Sequence, residues 1–445
     1  MDKKGQLPVD LLSAVSPVVQ NNAINKLAAQ VVRTNGILDC VKNSDRSELP
    51  FTFSTMLPSH KVTDQKSSGR CWIFAALNCV RSEMISRWDL EELEFSQNYL
   101  YFYDKLEKAN YFLEYIIATA SHSLDDRMLS YKLSSPIPDG GHWSLFANLF
   151  NKYGIVPKSC MPETAVSITT SDFVDYLSDR LREYASALRK MHQAGQSAVE
   201  MRERKHDMIA EIHRILCICL GTPPRKFDFD WTTRGNQRIS ESRITPLDFR
   251  RKYVAMNPSD HICLINVPSE SKPFYKSYYI ENLGNLVEGE AIQYLNVPIA
   301  DMKRLAIRQL NEGSPVWFGC DIRQSVCRER GIFDMTLYDY EALFGIYQPL
   351  SKGETFDYGG FYVSHAMVLQ GVHIEDKGHS TRWYVENSVG EQCGQNGYCI
   401  MTDQWFESYV HQAVIHRSCL DDEMIAAYSK PPEALPPWDP IALLA

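Results

Sequence analysis

The sequence has no long hydrophobic stretch. Its apolar runs are short, as at Ile215 to Leu220, six residues, whereas a bilayer span needs roughly 20. No membrane-spanning helix is expected. The start of the chain, Met1-Asp2-Lys3-Lys4-Gly5-Gln6-Leu7-Pro8, also lacks the apolar core of a secretory signal, so the expected location is cytoplasmic. Basic charge is in deficit, 46 Lys and Arg against 55 Asp and Glu, for a net −9. That balance argues against a nucleic-acid polyanion as the main partner. Internal repeats are missing, and so is paired Cys-x-x-Cys spacing, although there are twelve cysteines. His213, Cys217 and Cys219 share one stretch, and Cys393 lies near Cys399. Neither group has the spacing that closes a tetrahedral zinc site. Free thiols packed as small hydrophobes are expected, with no metal and no cofactor.

What is present is an ordinary globular composition, 44% hydrophobic and 23% charged over 445 residues. That length predicts two or three packed subdomains. After Cys71 the run Trp72-Ile73-Phe74-Ala75-Ala76-Leu77 is helix-competent, which puts Cys71 in the first turn of a helix. Phe173, Leu177, Leu181, Tyr184, Leu188 and Met191 recur at helical spacing up to Gly195. A second helix opens on the capping-box pattern Ser197-Ala198-Val199-Glu200 and stops at Gly221. From about 290 the pattern turns to strands, with buried candidates at 315–321, 365–372 and 382–387. The tail, from Lys430 to Pro440, is too rich in proline for a helix or a central strand and predicts an extended path. It ends in Ile441-Ala442-Leu443-Leu444-Ala445, whose side chains favour a groove over water.

A free thiol is mostly protonated at neutral pH, and its thiolate is the nucleophile. Chemistry at cysteine therefore needs a helix N-terminus and an imidazolium to lower the thiol pKa. It also needs a histidine to move the proton and donors for an oxyanion. The segment Gln65-Lys66-Ser67-Ser68-Gly69-Arg70-Cys71-Trp72 resembles the Gln…Gly-Ser-Cys-Trp signature of the papain family of cysteine peptidases. The resemblance makes Cys71 the nucleophile and Gln65 the oxyanion donor. Tyr362-Val363-Ser364-His365-Ala366 matches the family's His-Ala pattern, and Asn387-Ser388 follows His365 by 22 residues. By the same likeness His365 is the base and Asn387 orients its ring. Gly140 and Gly141 resemble the Gly-Gly whose backbone binds substrate; a simple turn is the competing reading. One departure stands out: the family's Trp after Asn-Ser is Val389 here, which loosens the expected shield over the His–Asn contact.

Papains carry the histidine roughly 130–150 residues after the cysteine, but here 294 residues separate Cys71 from His365. That insertion and the chain length are similar to the bleomycin hydrolases and bacterial aminopeptidase C enzymes. Pro138-Asp139-Gly140-Gly141-His142-Trp143 and the ending Trp438-Asp439-Pro440 fit them too, although His142 stands where members of that group carry Gln. The resemblance implies an α+β papain-like fold with a helical left subdomain and a β-barrel-like right one. The implied divisions are 1–165 with the nucleophile helix, a hook-like helical insertion at 166–290 used in oligomerisation, 291–428 with His and Asn, and an arm at 429–445 in the cleft. It further implies a homohexamer enclosing its active sites, peptide substrates, and an arm whose end, Ala445, meets the substrate's α-amino group and so makes an aminopeptidase. The alternatives are an endopeptidase without arm gating, a weakened scaffold or nucleic-acid-binding hexamer suggested by Val389 and Arg202-Glu203-Arg204-Lys205-His206, and a Cys-His acyltransferase.

Overall fold

A computed structural model describes residues 5, 7–43, 49–346, 349–376 and 378–442. Leu443, Leu444 and Ala445, including the expected limiting residue, lie outside the described residues. The fold is α+β. Helices cluster in the first half of the chain, around Cys71–Trp88, Gln97–Ala118 and Trp143–Tyr153. One twelve-stranded sheet gathers the strands of the second half.

The helix Cys71–Trp88 is buried on nearly every side, which explains why its sequence shows no polar face. Gln97–Ala118 begins on Ser96, whose side chain accepts from the Tyr99 amide. The expected helical pair is Ser171–Gln193 and Ala198–Leu220. Ser197 and Glu200 close the capping box, and Gly221 ends the second helix at φ 90°. Both pack on Gln97–Ala118.

Beyond Leu220 the regular structure of the segment 166–290 is mostly strand, with one short α-helix at Pro246–Tyr253. Phe227–Thr232 and Arg238–Ile244 form a two-stranded ribbon, and His261–Ile265 and Ser277–Ile280 enter the main sheet. The reason is local: Phe227, Phe229 and Trp231 alternate with acids at period two, and Ile262 to Ile265 is a short all-apolar run. Strands therefore begin well before residue 290.

At the centre of the sheet His365–Ile374 lies between Val316–Cys320 and Ser380–Glu386, antiparallel to both. All three coincide with sequence-predicted strands. Cys71–Trp88 packs across His365–Ile374, so the two candidate catalytic side chains come from one helix and the strand it crosses. The tail adds an edge strand, Glu433–Leu435, parallel to Ser277–Ile280. Proline is tolerated there because an edge strand needs only half its amides paired.

Candidate active site

Cys71 is the first residue of its helix, and Arg70 before it makes no side-chain cap. The first amides of a helix have no partner within it. Here the N–H groups of Cys71 and Trp72 turn to the Cys71 sulfur, joined by that of Ala366 on the facing strand. Ala366 follows His365, so this contact sets the nucleophile against the base's own strand. Arg70 is fully buried and makes a two-pronged ion pair to Glu163, at 3.2 and 2.8 Å. It also lies over the rings of Phe74 and Tyr101. The residue beside the nucleophile is thus a structural anchor.

His365 Nε2 donates to Asn387 Oδ1 at 2.8 Å, which leaves Nδ1 as the basic nitrogen. The Asn387 oxygen also accepts from the Ser388 amide at 2.8 Å. Both residues are buried, although Val389 is 40% exposed. The pair is therefore shielded without the family's Trp. Gln65 reaches the same place because residues 63–65 run beside 387–390: its amide donates to Ser388 O at 2.9 Å and Gly390 N donates to Thr63 O at 3.2 Å. Gly390 (φ +80°) admits this approach, since a Cβ there would lie 2.8 Å from the Asp64 carboxylate. Gln65 Nε2 donates to Ser68 O at 2.9 Å, using one of its two N–H bonds. Gln65, Ser364, His365, Asn387, Val389 and Cys393 line a cleft of about 510 Å³.

Burial works against the expected lowering of the thiol pKa. Burial pushes Cys71 up to about 11, against the pull of the three amides, and the Asp139 carboxylate adds to the rise. Burial also lowers His365, partly offset by its bond to Asn387. Burial thus disfavours the charged form of each group taken alone. A proton passed from sulfur to ring creates two opposite charges that stabilise each other in a dry site, so thiolate formation is tied to protonation of the ring.

Gly140 and Gly141 lie against the nucleophile helix. Trp72 Nε1 donates to Asp139 O at 3.0 Å, and a Cβ on Gly141 would come within 2.4 Å of the Trp72 ring. Gly140 O accepts from Lys108 Nζ at 2.9 Å. Asp139 takes Lys105 Nζ at 2.7 Å and Tyr101 OH at 2.8 Å, which with the Thr170 hydroxyl hold its carboxyl below the usual range. This buried network escaped sequence reading. Its one signal was Asp104, Lys105 and Lys108 in an otherwise aromatic helix.

A second buried connection ties the halves of the site. Arg81, on the nucleophile helix, pairs with Glu386, the residue before Asn387. Glu386 also accepts from Gln370 Nε2 at 2.6 Å, and Arg81 donates to Lys61 O at 2.8 Å.

The arm reaches this region through His142. The ring contacts Tyr294 OH at 2.9 Å, and the nearby Gln412 side chain and Ala442 backbone favour its charged form without outweighing burial. Burial takes its pKa down to about 3, so it is neutral. Lys272 pairs with Asp439 at 3.0 Å, and Arg127 lies 4.1 Å from the centre of the Trp438 ring. Among the described residues no group of three or more His, Cys, Asp or Glu is arranged to hold a metal ion.

The chain matches the Peptidase C1-like family model over residues 6–442. It is 41% identical over 423 residues to aminopeptidase C of Listeria monocytogenes, covering 95% of each chain. To human bleomycin hydrolase it is 37% identical over 429 residues, 94% of each. The crystal structure of PepW from Lactobacillus rhamnosis HN001 (DR20) superposes with a TM-score of 0.95 at 39% identity, covering 99% of this chain and 100% of that one. With His365 and Asn387 paired beside Gln65 in one cleft, Cys71 on the helix that crosses the histidine's strand, and relatives matched along nearly their whole length, the chain belongs to the Peptidase C1-like family and is a cysteine-type aminopeptidase.

Proposed function

We propose that Cys71, His365, Asn387 and Gln65 carry out peptide hydrolysis through a thioester, releasing residues one at a time from peptide N-termini. His365 Nδ1 takes the Cys71 proton as sulfur attacks the scissile carbonyl carbon. The oxyanion accepts from the Cys71 amide and the remaining Gln65 Nε2–H. His365 then gives its proton to the leaving amine, and the C–N bond breaks to leave an acyl-enzyme. Water, deprotonated by His365, attacks the thioester; the C–S bond breaks and the thiol is restored. The observation that carries this reading is the 2.8 Å His365–Asn387 bond on the strand whose next amide faces the Cys71 sulfur.

The arm is proposed to limit the cleft on the side of the substrate's N-terminus, with Ala445 meeting the α-amino group and the Gly140–Gly141 backbone binding the chain. Support comes from its docked course: Ile441 and Ala442 are 1% and 2% exposed. A homohexamer of this chain is part of the proposal. The N-terminal helices Val9–Asn21 and Ala23–Asn35 expose Val9, Leu11, Val15, Ile24 and Leu27, an apolar surface of the kind that marks an interface. A cytoplasmic location belongs to the same proposal, because catalysis by a thiol calls for a reducing compartment.

The test compares wild type, Cys71→Ala and a chain ending at Ala442 on aminoacyl-coumarins and on N-blocked peptides, with sedimentation of each. Cys71→Ala should lose all turnover. The shortened chain should gain internal cleavage of blocked peptides at the expense of aminopeptidase activity. If the intact enzyme cuts blocked peptides as well as the shortened one does, the arm has no gating role. A monomer by sedimentation would end the chamber reading.

A further inference from the structure

Beside the arm lies a second cavity, of about 310 Å³, bordered by Pro138, Tyr362, Leu283 and Ala442. Lys132, on the helix Arg127–Ser134, forms part of its wall and is 7% exposed. Its ammonium sits over the rings of Tyr111 and Tyr115, at 5.1 and 5.7 Å from their centres. Among the described residues no carboxylate pairs with it, and none of those on the wall is acidic. The neighbouring Lys108 is different. Its charge is matched by Asp104 at 2.8 Å, and its other bonds go to the carbonyls of Pro138 and Gly140.

A buried, unpaired ammonium is costly, and aromatic faces recover only part of its lost hydration. Proteins tolerate such a group where something else completes it. Burial alone lowers Lys132, to about 8, so at neutral pH it still carries its charge into the cavity. The cavity adjoins Pro138, two residues before the Gly140–Gly141 strip, and Tyr362, three residues before His365. Both boundaries lie on chain segments that also carry candidate site residues.

We propose that Lys132 is a specificity-determining residue that binds the carboxylate of an acidic side chain, Asp or Glu, at the start of a peptide substrate. The inference rests on the aminopeptidase reading and assigns it a substrate class. A carboxylate entering the cavity meets the Lys132 ammonium on a wall that also holds Lys108, Tyr111 and Tyr131. An uncharged amide of the same shape leaves the ammonium unpaired. The difference is that of a charged hydrogen bond in a dry site, an advantage of about ten-fold or more.

The experiment measures binding by calorimetry to Cys71→Ala enzyme, which cannot consume the ligand. Two peptides are compared that differ only at the first residue, Glu against Gln. The Glu peptide should bind at least about ten-fold tighter. Adding Lys132→Met, which keeps the length of the stem, should bring the two affinities together, and Lys132→Arg should keep them apart. Equal affinities in Cys71→Ala alone overturn the proposal whether or not the double variants fold. A Glu preference that survives Lys132→Met overturns it as well. The aminopeptidase reading is judged separately, by turnover of a Leu-coumarin by wild type, so the two can fail independently.

Discussion

The Arg81–Glu386 pair joins the two halves of the site, and breaking it has a calculable cost. Their side chains are 2% and 0% exposed, so removing either partner strands the other charge in a dry interior. Arg81→Met leaves Glu386 with only Gln370 as a donor, at a cost of about 3–5 kcal/mol. At about 2.1 cal/mol/K per residue, unfolding of 445 residues carries an entropy of about 0.9 kcal/mol/K. The melting temperature should fall by about 3–5 °C. Arg81→Met with Glu386→Leu removes both charges together and should recover most of the loss, because two well-packed apolar groups replace an ion pair at little net cost. Activity supplies a second readout. Arg81 lies ten residues along the helix from Cys71, and Glu386 immediately precedes Asn387, so a slackened pair should lower kcat more than it raises KM. The assay is a double-mutant cycle by thermal melting, with kinetics on each corner. If Arg81→Met costs less than about 1 kcal/mol, or the double variant is as unstable as the sum of the two single ones, the clamp described here is wrong.

Three other outcomes follow from the site. In His365→Ala, alkylation of Cys71 by iodoacetamide should be slow at pH 7 and rise about ten-fold per pH unit towards 11, while wild type reacts faster at neutrality; equal rates at pH 7 would refute proton transfer to His365. His142 is held down to about 3 against an ordinary 6.5, so between those values the unfolded chain binds a proton that the native state refuses. Stability therefore falls as pH drops through that window, by about 2 kcal/mol from pH 7 to 5 for this residue. His142→Gln should lose that share of the acid sensitivity in urea unfolding, and an unchanged pH dependence would show that the ring is not buried neutral. Gly141→Ala should cost about 1–3 kcal/mol by overpacking against Trp72, and should depress kcat further because Trp72 adjoins the nucleophile; a fully active Gly141→Ala enzyme would place the strip away from the Trp72 ring.

Legibility from sequence followed the range over which each feature acts. The nucleophile helix, the capping box at Ser197 and the three central strands are local patterns, visible in windows of a few turns. Cys71, Gln65, His365 and Asn387 were found through short motifs, and the fold then brought them together. The ribbon at 227–244 and the early strands His261–Ile265 and Ser277–Ile280 were missed because two long helices suggested one helical block. Each of these strands is short; the two of the ribbon pair only with each other, and the main-sheet strand His261–Ile265 has its partner far along the chain, at Val410–His416. No window contains both sides of such a ladder.

The thiol's electrostatics were illegible for a related reason. A helix start and a nearby histidine predict a lowered pKa only when the site is wet or the ring already charged. Burial is a property of the completed fold, and it outweighs three backbone donors at Cys71. The same holds for Arg81, Glu386, Asp139 and Lys105, charged residues that composition alone would assign to the surface. In the fold they are paired inside, one pair bracing each flank of the nucleophile helix: Arg81–Glu386 towards Asn387, and Lys105–Asp139 towards the Gly140–Gly141 strip. A buried cysteine depends on this bracing. Its reactivity needs geometry that stays fixed while the proton moves between sulfur and ring, and buried ion pairs are what fix it.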